Sequence, residues 1–124
     1  MSPVGYVTCL STERLIHWKI ASLCEAPVVV LEVAEISITP GQEAAFIQAY
    51  REARKHVAVS PGLRSMRMTQ GVESPSRFVL IIEWDSVEAH EQGFRETERF
   101  GAWREAIGPH FAKPPFVEHF ADVD

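Results

Sequence analysis

Residues 28–38 have the sequence VVVLEVAEISI, which is rich in β-branched side chains and predicts a β-strand. Apolar side chains lie on both of its faces, as expected for a strand at the centre of a sheet. They are Val29, Leu31 and Val33 on one face and Val30, Ala34 and Ile36 on the other. A second segment of this kind, RFVLIIEW at residues 77–84, predicts a second central strand. These two strands decide the fold.

The segment after the first strand predicts a helix. Residues 39–42, Thr-Pro-Gly-Gln, fit a capping box with proline at the first helical position. Apolar residues then recur at helical spacing up to residue 58, and the Ser-Pro-Gly sequence at 60–62 is expected to end the helix. Residues 63–70 alternate roughly and carry several polar side chains, which predicts a strand at the edge of the sheet.

The second half of the chain repeats this pattern. Asp85 or Ser86 is expected to cap a second helix, and Gly93 and Gly101 indicate that this helix bends or breaks. A last strand is predicted at 116–121. The order strand–helix–strand–strand–helix–strand is that of an α+β, ferredoxin-like βαββαβ fold with an antiparallel sheet. Right-handed crossovers place the first and third strands at its centre.

Two helices can cover only one face of such a sheet. The other face would expose a row of Val, Leu and Ile, which is unusual on a monomer and normally marks a partner surface. We therefore expect a homodimer that pairs through the sheet face. Residues 28–124 are predicted to form this domain, and residues 1–27 are predicted to be an N-terminal extension of unknown role that the fold does not require.

Composition excludes several partners. The 124 residues carry a net charge of −5, and no run of Lys and Arg forms a basic stripe, so neither nucleic acid nor an anionic membrane is an expected partner. Cys9 and Cys24 form no CxxC motif, which favours a reduced, cytoplasmic protein over a secreted disulfide scaffold. We expect neither a transmembrane segment nor a signal peptide.

Several catalytic motifs are absent from the sequence. It contains no P-loop, no GxGxxG and no GxSxG. His90-Glu91 resembles the start of HExxH, but Phe94 stands where the second histidine would be. The five histidines share no ligand spacing, so no metal site is predicted.

Residues 28–122 resemble a known family, the antibiotic biosynthesis monooxygenase (ABM) domain of the dimeric α+β-barrel superfamily. The Thr-Pro-Gly helix start, the Ser-Pro-Gly segment and the final Val-Glu-His-Phe strand fit its pattern. The residues that carry the resemblance most clearly are Trp84-Asp85-Ser86-Val87-Glu88-Ala89-His90, Phe94-Arg95, Phe100, Trp103-Arg104 and Gly108-Pro109-His110-Phe111.

The resemblance implies a dimeric α+β barrel with a pocket between each sheet and its helices. Characterised members oxidise quinols or polycyclic phenols with O₂ and use no metal or flavin, so the expected substrate is a small aromatic molecule and no cofactor is expected. The resemblance makes His90 the candidate catalytic base or hydrogen-bonding anchor, although a structural hydrogen bond would also explain this residue. The expected pocket wall, whose members could equally be core, consists of Trp84, Tyr50, Phe94, Phe100 and Trp103.

The sequence leaves three functions open. The first is a cofactor-independent monooxygenase that acts on a quinol or another electron-rich aromatic. The second, from a different class, is a non-catalytic ligand-binding or structural dimer of the same fold. The third is a haem-binding or haem-degrading enzyme, which the resemblance associates with an Asn, Trp and His set. The chain contains no asparagine, which counts against haem chemistry and also removes a polar residue that some phenol-oxidising members use.

Overall fold

The two strands that were predicted to be central lie side by side in the computed structural model, which describes residues 29–124. Strand β1 (Val30–Ser37) pairs antiparallel with β3 (Arg77–Trp84) along its whole length. Strand β2 (Leu63–Gln70) pairs with β3, and β4 (Phe116–Phe120) pairs with β1, so the order is β2-β3-β1-β4. The predicted ferredoxin-like α+β fold is confirmed. The extension predicted at residues 1–27 lies outside the described residues.

The helices follow the predicted order but are divided into shorter pieces. Ser86 caps the third helix by accepting a hydrogen bond from the Ala89 N–H at 3.0 Å, and the predicted break falls after the π-helical turn, at residues 96–97. None of the helices in residues 29–124 has the length and apolar character of a membrane span. The pieces are α1 (Glu43–Ala53), α2 (Lys55–Ala58), α3 (Val87–His90), a π-helical turn (Glu91–Arg95), α4 (Glu98–Ile107) and a 3₁₀ turn (Gly108–His110).

The predicted capping box at the start of the first helix is wrong. Helix α1 begins at Glu43 rather than Pro40, because Gly41 takes a left-handed φ of 95° that cannot continue a helix. The Thr39 carbonyl accepts the Gln42 N–H at 2.9 Å, and the Gly41 N–H donates to Glu43 Oε1 at 3.0 Å. These bonds form a turn that precedes the helix, so the side chain of Thr39 does not cap it.

The two faces of the sheet differ in burial. Successive side chains of β1 and β3 point alternately to the two faces of the sheet. Those on one face are buried under the helices, and those on the other face are half-buried, apart from the exposed Glu35 and Arg77. The buried parity packs against Phe46, Tyr50 and Val57 from the first helical segment and Trp103 and Ile107 from α4. The buried residues of the two strands are Val30, Glu32, Ala34, Ile36, Phe78, Leu80, Ile82 and Trp84.

Arg99 links the π-helical turn to α2 and the residues that follow it through hydrogen bonds. Its guanidinium donates to the carbonyl oxygen of His56 at 3.1 Å, to the Ser60 hydroxyl, and to the carbonyl oxygen of Gly93 at 2.6 Å. It also lies 5.7 Å from the centre of the Phe94 ring. These bonds hold Phe94 against the sheet, where it borders the cavity described below.

Candidate functional site

A cavity of about 1240 Å³ lies between the buried face of the sheet and α4. Its lining includes apolar side chains of β1 and β3 and residues of the loop that leads into β4. This volume is large enough for a small polycyclic aromatic molecule. The lining includes Glu32, Ala34, Ile36, Leu80, Ile82, His90, Phe94, Phe100, Trp103, Ile107 and residues of the segment from Gly108 to Val117.

The residues predicted to form the site fall into two groups. His90, Phe94, Phe100 and Trp103 line the cavity. Two lie one layer behind them: the Trp84 ring stacks on His90, with centroids 5.2 Å apart, and the Tyr50 ring packs edge-on against Trp103 at 6.1 Å. Their contacts place Trp84 and Tyr50 as supports of the cavity wall rather than parts of its surface.

Four side chains form a connected polar group on this wall. Trp84 Nε1–H donates to Glu32 Oε1 at 2.9 Å, and the same carboxylate oxygen lies 3.3 Å from His90 Nε2. The other ring nitrogen, His90 Nδ1, lies 2.8 Å from His119 Nε2. Glu32 is 7% exposed and His90 is 2% exposed, so this group is withdrawn from bulk solvent.

The fold explains why these four residues meet. Glu32 has the buried parity of β1, and the register of β1 with β4 sets His119 directly opposite it. Trp84 ends β3, and the Ser86 cap starts α3 so that His90 lies over the indole ring. Within residues 29–124, no three His, Cys, Asp or Glu side chains are arranged as a metal site. Three strands and one helix therefore bring these four polar side chains into contact.

Burial controls the ionisation of this group. Removal from water, with smaller contributions from the nearby His119 and Arg95, lowers the pKa of His90 to about 4. The same loss of hydration raises the pKa of Glu32, against the opposing effects of the Trp84 hydrogen bond and the Arg95 charge. His90 is therefore neutral at neutral pH, and Glu32 is a stronger base than an exposed carboxylate.

Cationic side chains border the cavity as well. Arg95, Arg104 and Lys113 are among its lining residues. The guanidinium carbons of Arg95 and Arg104 lie 5.3 and 5.8 Å from the centre of the Phe100 ring. The charge of Arg95 acts on both Glu32 and His90, so positive charge lies close to the inner part of the cavity.

Sequence reasoning missed Glu32 and His119. Glu32 carried a usable signal, because an acidic side chain that shares its strand face with Val30, Ala34 and Ile36 must be buried with them. His119 had no local signal, since its partner depends on the register between β4 and β1. Arg99 was also missed, because its three acceptors come from three separate segments.

Comparison with known proteins identifies the family. The antibiotic biosynthesis monooxygenase family matches residues 29–106. YczJ of Bacillus subtilis strain 168, an uncharacterized protein, is 30% identical over 94 residues, which are 76% of this chain and 99% of the relative.

Solved structures agree with this match. A candidate antibiotic biosynthesis monooxygenase from Bordetella bronchiseptica has 32% identity and a TM-score of 0.75, over 78% of this chain and 99% of that one. SnoaB, a cofactor-independent oxygenase from Streptomyces nogalater, has a TM-score of 0.69 over 78% of this chain and 95% of its own. Its identity is only 15%, so this likeness concerns the fold alone. By its sequence, the chain belongs to the antibiotic biosynthesis monooxygenase family.

Proposed function

We propose that this protein is a cofactor-independent monooxygenase that oxidises a quinol, an anthrone-type phenol or another electron-rich aromatic molecule with O₂. The observation that carries the proposal is the buried pair of Glu32 and His90 on the wall of an aromatic cavity. Family membership supports the same class of reaction.

The chemistry requires an electron-rich anion. O₂ in its triplet ground state reacts slowly with closed-shell molecules, so the substrate must lose a proton before it can donate an electron. A buried base can remove that proton, and a dry cavity with a nearby cation can hold the anion. Glu32 supplies the base, and Arg95 supplies the positive charge.

Glu32 is the better first proton acceptor of the pair. Burial raises its pKa, whereas the pKa of His90 falls to about 4, so the carboxylate is the stronger base. Both polar contacts of Glu32 use Oε1, and among the described residues none uses Oε2. In this proposal Oε2 takes the proton of the substrate, and His90 holds Glu32 in place.

The reaction can be written in balanced form for an anthrone-type substrate. Glu32 removes one proton from the CH₂ group, and the anion passes an electron to O₂. The resulting radical and superoxide form a C–O bond, and the peroxide takes up the proton. Loss of water with the second hydrogen of the same carbon cleaves the O–O bond. The CH₂ group becomes C=O, and the second oxygen atom leaves as water.

Oxygen incorporation tests the proposal. We expect the protein to accelerate O₂ consumption with at least one member of a panel of naphthohydroquinones and anthrones, above the rate of spontaneous oxidation. With ¹⁸O₂ and an anthrone, mass spectrometry should find one labelled oxygen atom in each product molecule. Glu32→Gln is the control, because the amide has nearly the same shape and cannot take up a proton.

Other outcomes would point elsewhere. Hydrogen peroxide without label in the product would indicate an oxidase. Binding of the panel without O₂ consumption would favour the non-catalytic ligand-binding dimer. Haem chemistry is less well supported, because both ring nitrogens of His90 are already engaged, one by Glu32 and one by His119. A haem titration without a Soret shift would agree with that.

We also propose that the protein is a homodimer through the open face of its sheet. Leu31, Val33, Val79 and Ile81 are half-buried on that face. On β4, Phe116 and Phe120 are 57% and 48% exposed, and they lie opposite Glu35 and Leu31 of β1. A row of this kind favours contact with a second copy.

A charge on this face should disrupt the dimer. Light scattering of the wild type is expected to give about twice 13.9 kDa, and Ile81→Lys should shift it to the monomer. Burying such a side chain contributes about 1.5–3 kcal/mol to the free energy of association. In a twofold interface the substitution removes this contribution from both subunits. Val72→Lys is the matched control, since Val72 is 88% exposed in the turn between β2 and β3. A monomeric wild type would contradict the proposal.

A further inference from the structure

We propose that Glu32, His90 and His119 form a proton relay that connects the cavity with solvent at the β4 edge of the sheet. The inference rests on the proposed function, because it assigns the path of the proton that Glu32 removes. It gives His119, which lies outside the cavity lining, a part in the reaction.

The three groups lie close together, joined by a polar contact at one link and a hydrogen bond at the other. Glu32 Oε1 and His90 Nε2 are 3.3 Å apart, and His90 Nδ1 and His119 Nε2 are 2.8 Å apart. Imidazole accepts a proton at one nitrogen and releases one from the other, so His90 can pass a proton along without a net charge. His119 is only partly buried and lies on β4, an edge strand of the sheet.

The protons on Glu32, His90 and His119 can be arranged in two ways, called the first and the second order below. When Glu32 is a carboxylate, His90 Nε2–H donates to it, and His119 Nε2–H donates to His90 Nδ1. When Glu32 is protonated, a turn of its carboxyl group brings the O–H from the substrate side to His90 Nε2, and His90 Nδ1–H donates to His119 Nε2. The tautomer of His90 therefore depends on the charge of Glu32. Only the second order leaves His90 Nε2 free to accept a proton, so the transfer runs from the second order to the first. Glu32 gives its proton to His90 Nε2, His90 Nδ1–H passes to His119 Nε2, and His119 releases the proton on its other ring nitrogen, Nδ1, to solvent.

Such a relay would prolong the life of the substrate anion. A proton held on Glu32 stays beside the anion and returns to it, whereas a proton moved to His119 is separated from it by the His90 ring. Arg95, the cation that acts on both Glu32 and His90, opposes a positive charge on His90. A transfer that leaves His90 neutral at each stage avoids that cost.

Exchange of the His90 ring N–H with solvent tests the relay without any substrate. The comparison is made in a Glu32→Gln background, because the introduced amide can donate to His90 Nε2 and closes the cavity end of the path. His90 Nδ1–H must then exchange through His119. Adding His119→Gln keeps a hydrogen-bond acceptor but removes a group that can take up and release a proton. His56→Gln, on α2, is the matched control.

We expect ¹⁵N-histidine NMR to find that His119→Gln slows this exchange by about tenfold or more, since acid–base groups accelerate proton transfer by about 10²–10⁴-fold. An unchanged or faster exchange would overturn the relay, because it would mean that His119 only fills a hydrogen bond. If the background variant fails to fold, the tautomer of His90 decides in the wild type. It should change from Nε2–H to Nδ1–H as Glu32 is protonated, and a fixed tautomer would overturn the proposal.

Turnover separates the relay from the proposed function. With any substrate from the panel, His119→Gln should lower kcat several-fold without changing KM and should increase the solvent isotope effect. Loss of binding, or an unchanged kcat, would count against the relay. If no panel member is oxidised, the proposed function fails, and the exchange measurement still decides whether the relay exists.

Discussion

Replacing Glu32 with Gln is expected to lower turnover by about 10²–10⁴-fold, the usual contribution of a general base. The amide has nearly the shape of the carboxylate and can still bond one of the two groups that lie at Oε1, the Trp84 indole or His90, so the variant should keep its fold. Steady-state oxygen consumption and thermal unfolding, measured on the same preparations, separate the two effects. Glu52→Gln is the matched control, since it removes the same charge from an exposed position on α1.

The pH profile distinguishes Glu32 from His90 as the base. If the Glu32 carboxylate accepts the proton, the rate should rise with pH through its raised pKa. If His90 were the base, the rate would be flat above about pH 5, because the pKa of His90 is about 4 and the ring is already neutral there. A flat profile together with an active Glu32→Gln variant would transfer the role to His90.

The wild type should lose stability in mild acid through His90. The pKa of this residue is about 4 in the folded protein and about 6.5 in an unfolded chain, so the unfolded state binds more protons between these values. Stability therefore falls as the pH falls from about 6.5 to about 4, by about 3 kcal/mol in full. Urea unfolding at several pH values, compared with His90→Gln, measures this contribution.

Glu32 acts in the opposite direction and must be separated from His90. Its pKa is raised by burial, so the folded state takes up a proton more readily than the unfolded chain, and this residue adds stability as the pH falls. Because His90→Gln retains Glu32, the difference between the two stability curves reports mainly on His90. Parallel curves over this pH range would show that protonated His90 is tolerated in the fold.

The fold was predictable because its signals are local. The apolar parity of β1 and β3 indicated two central strands, and the polar residues of β2 indicated an edge. The start of α1 was not predictable from Thr39 and Pro40, because the decisive feature is the left-handed turn at Gly41. A capping motif shows only which residues could begin a helix. Where the chain turns is fixed by hydrogen bonds to distant residues, from Thr39 N–H to the His110 carbonyl and from Ile38 N–H to the Ser76 carbonyl.

The candidate site was predictable only in part. His90 and the aromatic side chains of α4 and its preceding turn follow one another in a motif, so the resemblance could point to them. Glu32 and His119 belong to strands at opposite ends of the domain, and only the pairing of β1 with β4 makes them neighbours. Their ionisation depends on burial, which is a property of the assembled core and of no single segment.

The pairing of the first strand with the last one has a consequence for biogenesis. Contacts between segments so distant along the chain form late in folding, because the entropy of closing a long loop is lost before the contacts can stabilise the fold. Glu32 and His90 both precede β4 along the chain, so they leave the ribosome before His119 does. The carboxylate at position 32 then lacks the histidine that faces it across the strands. A chain that lacks β4 would therefore keep Glu32 and His90 but lose the partner of His90 Nδ1.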